Sequence, residues 1–347
     1  MLRLTFIYIH FIMEVEDGGL AASFAVSRAH ESPICDVFWV NSIDSESHSD
    51  SEPASRKGEK DRFLSGDATT GQTIEWAVER RGEGSKELEV KRVRTSASRV
   101  WGALRFASAG SIVSRTCATG ALAVFTHSAA RGIELKGEIQ AGPGESCALC
   151  VRNDGRRIAS LTFNGAVNIF DADELRLLNS FSLDGFDVSN PLLCVTYSQD
   201  GKSIAVGAKS GGVVVIEADS GDLIRSFSGH SLPVRSVCFS PLGDKLYAAS
   251  DDATVSVHTL AQDEAAKSLC GHLSPVLCVS ASTANEDLVC TASADKTIKF
   301  WINGRCEATF THPGVVQTVA FSPSGALVAS ADTEGNIFVT PAPTAKS

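Results

Sequence analysis

Residues 229–258 read GHSLPVRSVCFSPLGDKLYAASDDATVSVH, and this stretch indicates the fold most clearly. Three short segments of it have apolar residues at alternate positions, which predicts three strands that each pack one face. A Ser-Pro-Leu-Gly run and an Asp-Asp-Ala run separate these segments, and such residues are typical of tight turns. The stretch therefore predicts a small antiparallel meander.

The same phrase occurs again further along the chain, as GHLSPVLCVS…TASADKTIKFW and as THPGVVQTVAFSPSGALVASADTEGNIFV. The positions of the histidines show where each copy of the repeat begins. Four of the eight histidines lie seven residues before a valine, in the pairs His30/Val37, His230/Val237, His272/Val279 and His312/Val319. Chance does not place half of the histidines in one slot, so the chain contains an internal repeat.

Earlier copies lack the histidine but keep the strand pattern. The paired apolar anchors of the first strand are Val37/Trp39, Leu104/Phe106, Leu149/Val151, Val195/Tyr197, Val237/Phe239, Val279/Ala281 and Val319/Phe321. Their successive spacings are 67, 45, 46, 42, 42 and 40 residues. Seven copies of about forty residues with about four strands each predict an all-β chain that folds as a seven-bladed β-propeller.

The predicted propeller spans residues 19–342, with a tail at 343–347. Residues 1–18 are expected to be either a disordered extension or an artefact of the gene model, with Met13 as a candidate start and residues 1–12 as added sequence. The segment 42–60 is acidic and Ser-rich, which predicts a disordered insertion in blade one. The last blade lacks a fourth strand, and the segment 21–26 is predicted to supply it and so close the ring.

The pattern GH…V-x-x-V-x-F-S-P-x-G…A-S-x-D-x-T-I-x-x-W resembles the WD-repeat family, most specifically over residues 229–301. The chain departs from the family in having no Trp-Asp dipeptide, since Ile302 follows Trp301. Within the family, the runs GHSLPVRSVCFSP, ASDDATVSVH and TASADKTIKFW are similar to the subunit shared by the superkiller complex and the Paf transcription elongation complex.

That resemblance implies a non-catalytic scaffold without a cofactor, which acts as a monomeric propeller inside a hetero-complex. The implied partners are the superkiller helicase and helical-repeat subunits, in exosome-mediated mRNA decay, or subunits of the Paf complex. The implied location is the cytoplasm and the nucleus. An alternative is another WD-repeat adaptor, such as a ubiquitin-ligase substrate receptor. A propeller enzyme with its site in the channel would need a cluster of acids, histidines or metal ligands at the axis.

Four residues occupy the positions of the repeat's side-chain tetrad, namely His272, Ser293, Asp295 and Trp301. They allow a catalytic triad with Ser293 as nucleophile, or a buried chain of hydrogen bonds from Asp295 through the histidine and serine to the indole N–H. The Asp-Lys-Thr run also begins the phosphorylated motif of cation-pumping ATPases, but here it continues Ile-Lys-Phe-Trp. The neighbouring copies repeat the arrangement with His230, Ser250 and Asp252, and with His312 and Glu334. An enzyme needs one active site, so recurrence favours a structural role, and the blade-five chain is expected to be incomplete because His258 replaces the tryptophan.

A partner-binding rim is predicted at the mouth of the central channel. Its members precede the first-strand anchors or adjoin the tetrad acids: Cys35, Trp101, Gly102, Cys147, Leu193, Arg235, Asp251, Leu277, Gln317 and Thr333. The residues that precede the anchors are mostly apolar with one arginine, a mix typical of an interface core. Simple packing of the channel wall is the alternative for each residue.

Charge and cysteine usage exclude other classes of function. The net charge is −10, and the densest basic run is KRVR at 91–94, interpreted as a solvated loop, so no direct contact with nucleic acid is expected. No segment is long and apolar enough to cross a bilayer, so no membrane contact is expected. The ten cysteines are widely spread, as is typical of a reducing compartment. Cys147 and Cys150 form a lone CxxC without a second ligand pair, which favours a core strand over a metal or redox site.

Overall fold

The computed structural model describes residues 9–10, 24–26, 29, 34–40, 61–67, 72–80, 88–97, 106–109, 112–116, 121–128, 131–139, 146–187, 189–261 and 267–343. Every regular element in these ranges is a β-strand, and the strands form seven antiparallel sheets, which confirms the predicted all-β class. The described part contains no helix that could span a bilayer. Several predicted features lie outside these ranges, namely His30, Trp101, Gly102 and the insertion at 42–60.

Two short strands, β1 (Ile9–His10) and β2 (Phe24–Val26), precede the regular sheets. Sheet 1 contains β3 (Ile34–Val40), β4 (Asp61–Asp67), β5 (Gln72–Arg80) and β6 (Leu88–Ala97). Sheet 2 contains β7 (Phe106–Ala109), β8 (Ile112–Thr116), β9 (Leu122–Ser128) and β10 (Gly132–Ile139). Sheet 3 contains β11 (Ser146–Val151), β12 (Arg157–Thr162), β13 (Ala166–Asp171) and β14 (Arg176–Ser182).

Sheet 4 contains β15 (Leu192–Tyr197), β16 (Ser203–Ala208), β17 (Val213–Glu217) and β18 (Leu223–Phe227). Sheet 5 contains β19 (Val234–Phe239), β20 (Lys245–Ser250), β21 (Thr254–Thr259) and β22 (Lys267–Cys270). Sheet 6 contains β23 (Val276–Ala281), β24 (Leu288–Ser293), β25 (Thr297–Ile302) and β26 (Arg305–Thr311). Sheet 7 contains β27 (Val316–Phe321), β28 (Leu327–Asp332) and β29 (Ile337–Pro341), with β2 and then β1 added beyond β29.

The Ser-Pro-x-Gly run makes the turn between the first two strands of sheet 5. The Ser240 amide donates to the Lys245 carbonyl at 2.9 Å, and the Ser240 hydroxyl accepts from the Lys245 amide at 3.0 Å. Gly243 has a φ of 73°, a left-handed conformation that glycine adopts at little cost. These residues therefore reverse the chain where the sequence predicts it.

The sheets pack face to face through their first two or three strands. Strand β15 contacts both β11 and β19, β23 contacts β19 and β27, and β27 also contacts β3 of sheet 1. The cores lie between neighbouring sheets. The rings of Phe300 in sheet 6 and Phe321 in sheet 7, for example, meet edge to face with centroids 6.3 Å apart. This architecture is consistent with a β-propeller.

Sheet 7 is completed from the other end of the chain. Residues Phe24 and Val26 of β2 lie opposite Val339 and Ile337 of β29, within the segment predicted to supply the missing strand. Beyond β2, the strand Ile9–His10 pairs with Ala25 and Val26. It lies inside the range expected to be a disordered or artefactual extension, and its pairing covers part of the free edge of β2.

The basic run 91–94 differs from its prediction, because it lies in strand β6 rather than in a loop. Leu88 and Val90 are buried in the core shared by sheets 1 and 7, so the outermost strand is held by apolar side chains at one end. Lys91 also lies within ion-pair distance of Glu79 on β5. The run 91–94 taken alone gives no sign of the strand, because the buried residues that hold it, Leu88 and Val90, precede the run.

Candidate functional site

Sheet 6 contains a buried chain of side-chain hydrogen bonds. The Nδ1 of His272 lies 2.8 Å from the Oδ2 of Asp295, and its Nε2 lies 2.7 Å from the Oγ1 of Thr291. The indole of Trp301 donates to the same hydroxyl at 2.9 Å. With the aspartate accepting from Nδ1–H, the threonine donates to Nε2 and accepts from the tryptophan, so each group has a partner.

Ser293 does not join that chain, and this corrects the prediction. Its hydroxyl donates to the Ser274 carbonyl and accepts from the Asp295 amide, both at 3.1 Å. Ser293 ends β24 opposite Val276, whereas Thr291 lies two residues deeper in the strand, where the indole reaches. Ser293 therefore joins the loop that contains Ser274 to the turn that contains Asp295. Thr291 connects His272 to Trp301.

Sheet 5 has a complete chain, although the sequence predicted an incomplete one. His230 lies 2.8 Å from Asp252 through Nδ1 and 2.8 Å from the Ser256 hydroxyl through Nε2. That hydroxyl lies 2.8 Å from the Nε2 of His258, which stands where Trp301 stands in sheet 6. Ser250, the predicted member, instead donates to the Leu232 carbonyl at 3.0 Å. Ser256 on the third strand of sheet 5 thus provides the hydroxyl group that Thr291 on the second strand provides in sheet 6.

In sheet 7 the acidic residue beside the histidine is Asp332, and the predicted residue was Glu334. The Nε2 of His312 lies 3.0 Å from the Ser330 hydroxyl, and its Nδ1 lies 3.7 Å from Asp332, beyond hydrogen-bond distance. Asp332 occupies the position of Ser293 and accepts from the amide of Glu334 and from the side chain of Asn336. The shorter aspartate, which is fully buried, takes the place beside the histidine.

Sheet 1 contains a pair that the sequence analysis missed. The indole of Trp76 donates to the Ser65 hydroxyl at 2.8 Å, and both side chains are buried. The register places them at the positions of Trp301 and Thr291. Ser65 and Trp76 are eleven positions apart in the sequence, and Thr291 and Trp301 are ten positions apart. This similar spacing could have revealed the pair.

The buried groups of these chains have shifted pKa values. Burial alone would raise the pKa of Asp295, but hydrogen bonds from Thr297, the Leu273 amide and His272 outweigh it and lower the pKa to about 2. Burial lowers the pKa of His258 to about 4, and the nearby His230 adds to this. Burial also lowers the pKa of His272 against the opposing effect of Asp295. The aspartate is thus held charged and the histidines neutral, which suits fixed hydrogen bonds.

Four predicted rim residues line one cavity of about 190 Å³. They are Leu193, Arg235, Leu277 and Gln317, which occupy the same position in the first strands of sheets 4 to 7. Cys194 and Cys278, the next residues along two of these strands, also line the cavity. The four rim residues that line it are two leucines, one glutamine and one arginine.

Arg235 is held in place at the mouth. Its guanidinium forms a two-pronged ion pair with Asp251, with Nε–Oδ1 at 2.9 Å and Nη2–Oδ2 at 2.5 Å. Two exposed leucines lie on the adjoining loops, Leu232 at 47% and Leu273 at 90% exposure. The Leu273 amide donates to Asp295, so this hydrogen bond holds the loop that precedes β23.

The other rim residues lie apart from the cavity or outside the described part. The Cys147 thiol is half-buried and lies within hydrogen-bond distance of two acceptors, the carbonyls of Leu161 and Leu192. Thr333 accepts from the Val315 amide and closes a turn. Cys35 lies in β3. Trp101 and Gly102 are not described.

The described residues contain no group of three or more histidine, cysteine or acidic side chains that could hold a metal ion. Cys147 and Cys150 lie on one strand, β11, and burial strongly raises the pKa of the Cys150 thiol. A thiol held in its protonated form is a weak metal ligand and a weak nucleophile.

Comparison with known families agrees with this geometry. Residues 221–259, 264–301 and 304–339 match the model of the WD domain, G-beta repeat. Residues 221–339 therefore resemble the repeats of WD-repeat proteins. Such proteins are in general non-catalytic scaffolds that bind other proteins, and the matched segments contain the hydrogen-bond chains of sheets 5, 6 and 7.

Three relatives illustrate the range of similar proteins. Meiotic recombination protein rec14 of Schizosaccharomyces pombe is 31% identical over 117 residues, 33% of this chain and 37% of that protein. The U3 small nucleolar RNA-associated protein 15 homolog of Xenopus laevis is 33% identical over 141 residues, 40% of this chain and 27% of that protein. Eukaryotic translation initiation factor 3 subunit I of Saccharomyces cerevisiae is 35% identical over 100 residues, 28% of each chain.

The chain thus aligns with between 27% and 37% of the length of these relatives. One of these names is that of a subunit of translation initiation factor 3, and another is that of a protein associated with U3 small nucleolar RNA.

Proposed function

We propose that this protein is a WD-repeat scaffold that binds a partner peptide at the mouth of the cavity between Leu193, Arg235, Leu277 and Gln317. One observation carries the proposal: four sheets each contribute one residue of the predicted rim to a single cavity. Leu232 and Leu273 are exposed on the loops that precede β19 and β23, the strands that contribute Arg235 and Leu277. Apolar side chains of a peptide would pack there, and a carboxylate or carbonyl would meet Arg235.

We further infer that the seven sheets form one closed seven-bladed ring around this cavity. The contact of β27 with β3 and the pairing of β2 with β29 support closure. The indole of Trp39 in sheet 1 also donates to the Ala320 carbonyl in sheet 7 at 2.9 Å. A closed ring holds the rim residues at fixed distances, as peptide recognition requires.

The proposed assembly is the superkiller complex, where the chain would join helicase and helical-repeat subunits for exosome-mediated mRNA decay. A shared role in the Paf transcription elongation complex would place it in the nucleus as well as the cytoplasm. The support is the likeness of residues 229–301 to the subunit shared by both complexes.

A second candidate is an adaptor in another assembly. Relatives named for initiation factor 3 and for U3 small nucleolar RNA favour it, because the same repeat serves in those proteins. The two candidates share the fold and the peptide site and differ in the partner.

The test is purification of the tagged full chain from its source cells, followed by mass spectrometry. Wild-type protein is expected to recover superkiller helicase and helical-repeat subunits or Paf subunits. The double variant Arg235→Glu, Leu277→Asp should lose them. Leu242→Asp is the matched control, since Leu242 is exposed in the turn at the opposite end of β19 and should retain them.

Recovery of other complexes by the wild type, lost in the rim variant, would support the second candidate. Equal recovery by the wild type and the rim variant would overturn the peptide site itself.

A further inference from the structure

Strand β6 (Leu88–Ala97) has the longest exposed edge in the described part of the chain. It has ten residues and is the outermost strand of sheet 1, whereas β18 and β22 have five and four. Among the described strands, its only hydrogen-bonded neighbour is β5. One row of its backbone N–H and C=O groups therefore points away from the sheet, and such an edge can accept another strand.

The second half of this edge is cationic in a chain with a net charge of −10. Lys91 lies 3.3 Å from both Glu79 and Glu89, which offset its charge. Arg92 is exposed and makes no ion pair with any residue in the described ranges. Arg94 is half-buried and already interacts with another group of the protein, and its guanidinium lies so close to Gly132 of sheet 2 that a Cβ there would overlap it.

The two arginines flank the edge on opposite faces. Arg92 lies opposite Trp76 on β5, and Arg94 lies opposite Glu75. Adjacent residues of a strand face opposite sides of a sheet, so their cross-strand partners do the same. A strand added to this edge would meet a positive charge on each face.

A β-bulge separates the two arginines. Val93 has no Cα partner on β5, and its side chain is 42% exposed. Bulges and charges usually protect an edge against neutral strands, and the same edge of a second copy would carry the same charges and be repelled. A strand with acidic side chains is the one that such an edge admits.

We propose that residues 92–95 of β6 bind an acidic, extended segment of a partner protein by strand addition. The segment carries carboxylates at two successive positions, one for each face, beside an apolar residue that packs on Val93. Main-chain hydrogen bonds hold the segment, and Arg92 and Arg94 select its charge. RNA suits the surface poorly, because the edge offers two arginines and no exposed aromatic ring among its described residues.

The test is fluorescence anisotropy with the full chain and a labelled eight-residue probe that contains Val-Glu-Glu-Val. The same probe with Lys-Lys in place of Glu-Glu is the charge control. The acidic probe should bind at low salt and weaken as salt rises, and the basic probe should not bind. Arg92→Glu should weaken binding about tenfold. Val93→Pro should also weaken it, because proline is tolerated at a bulge but disturbs an added strand.

Arg305→Glu is the matched control, since Arg305 is also exposed on an outermost strand, β26. Its binding, and that of the cavity variant Arg235→Glu, Leu277→Asp, should equal the wild type. This separates the edge from the proposed peptide site.

Four binding results would overturn the proposal, and one result on oligomeric state would do the same. They are no binding of the acidic probe at about 1 mM, unchanged binding by Arg92→Glu, equal weakening by Arg305→Glu, and tighter binding of a single-stranded RNA oligonucleotide. Dimerisation in size-exclusion chromatography that Arg92→Glu abolishes would also overturn it, because the edge would then serve a second copy.

Discussion

Asp295 shows at the residue scale how one side chain holds two loops. Its Oδ2 accepts from His272 and from the Leu273 amide, and its Oδ1 accepts from the amide and hydroxyl of Thr297. The first pair lies in the loop that enters sheet 6, and the second lies in the turn between β24 and β25. The carboxylate therefore joins two segments that are distant in sequence.

Replacing Asp295 by alanine should lower the free energy of unfolding by about 1–3 kcal/mol, because buried donors lose their acceptor. Urea denaturation followed by tryptophan fluorescence measures the change. Glu334→Ala is the matched control, since Glu334 holds the same place in sheet 7 while Asp332 lies beside the histidine there. An equal loss in both variants would contradict the assignment.

The buried histidines should make stability depend on pH below about 6.5. Burial lowers the pKa of His258 to about 4, from a usual value of 6.5, so the unfolded chain takes up the proton first as pH falls. The stabilisation is complete above 6.5 and is lost as pH falls towards 4. The contribution of Asp295 to stability is lost only at lower pH. Its pKa is about 2 in the folded protein against the usual 3.8, so this contribution is complete above pH 3.8 and falls as pH approaches 2.

Urea midpoints of the wild type and of His258→Gln, measured between about pH 7.5 and pH 5, test this dependence. The variant should be less stable at neutral pH but lose less as pH falls. Parallel curves would show that His258 does not carry the dependence.

At the element scale, the turns between the second and third strands differ in one residue. Gly165 in sheet 3 and Gly211 in sheet 4 have φ values of 84° and 89°. The matching residues of sheets 5 and 6 are Ala253 and Lys296, with φ values of 67° and 68°. A side chain in this left-handed region costs about 1–2 kcal/mol.

Ala253→Gly should therefore raise the free energy of unfolding by up to about 1 kcal/mol, since the relief of strain exceeds the added entropy of the unfolded chain. The reverse change, Gly211→Ala, should destabilise the protein, because its Cβ would lie 2.2 Å from the His230 carbonyl oxygen. Thermal unfolding measures both. A lower Tm for Ala253→Gly would show that the turn is not strained.

At the scale of the whole molecule, the N-terminal strand joins the two ends of the chain. Val26 and the sheet 1 residues Ile34 and Trp76 share one buried core with Leu327 and Val339 of sheet 7. Loss of β2 would expose the edge of β29 and open that core. The stability of sheet 7 is therefore expected to depend on residues far from β27, β28 and β29 in sequence.

Deletion of residues 1–27 should lower the Tm of the whole domain, whereas deletion of residues 1–12 should change it little. The shorter deletion removes β1, which pairs through two residues, and keeps β2 with its place in the core. Differential scanning calorimetry of both truncations tests this. Equal transition temperatures would contradict closure through β2.

The repeat, its starting points and most of its inner strands could be predicted from the sequence, because a period of about forty residues and alternate apolar positions are local patterns. The sequence also located the tetrad histidines, the acids of sheets 5 and 6, and four residues of the cavity mouth. It failed at Thr291, Ser256 and Asp332, since which hydroxyl or carboxylate reaches a histidine depends on strand register.

Only the tertiary structure decided that register, the pairing of β2 with β29 and the placement of a basic run on an exposed edge. These features depend on contacts between residues far apart in the chain. A hydrogen bond forms or fails over a few tenths of an ångström, a distance that packing between sheets sets and that no local pattern encodes.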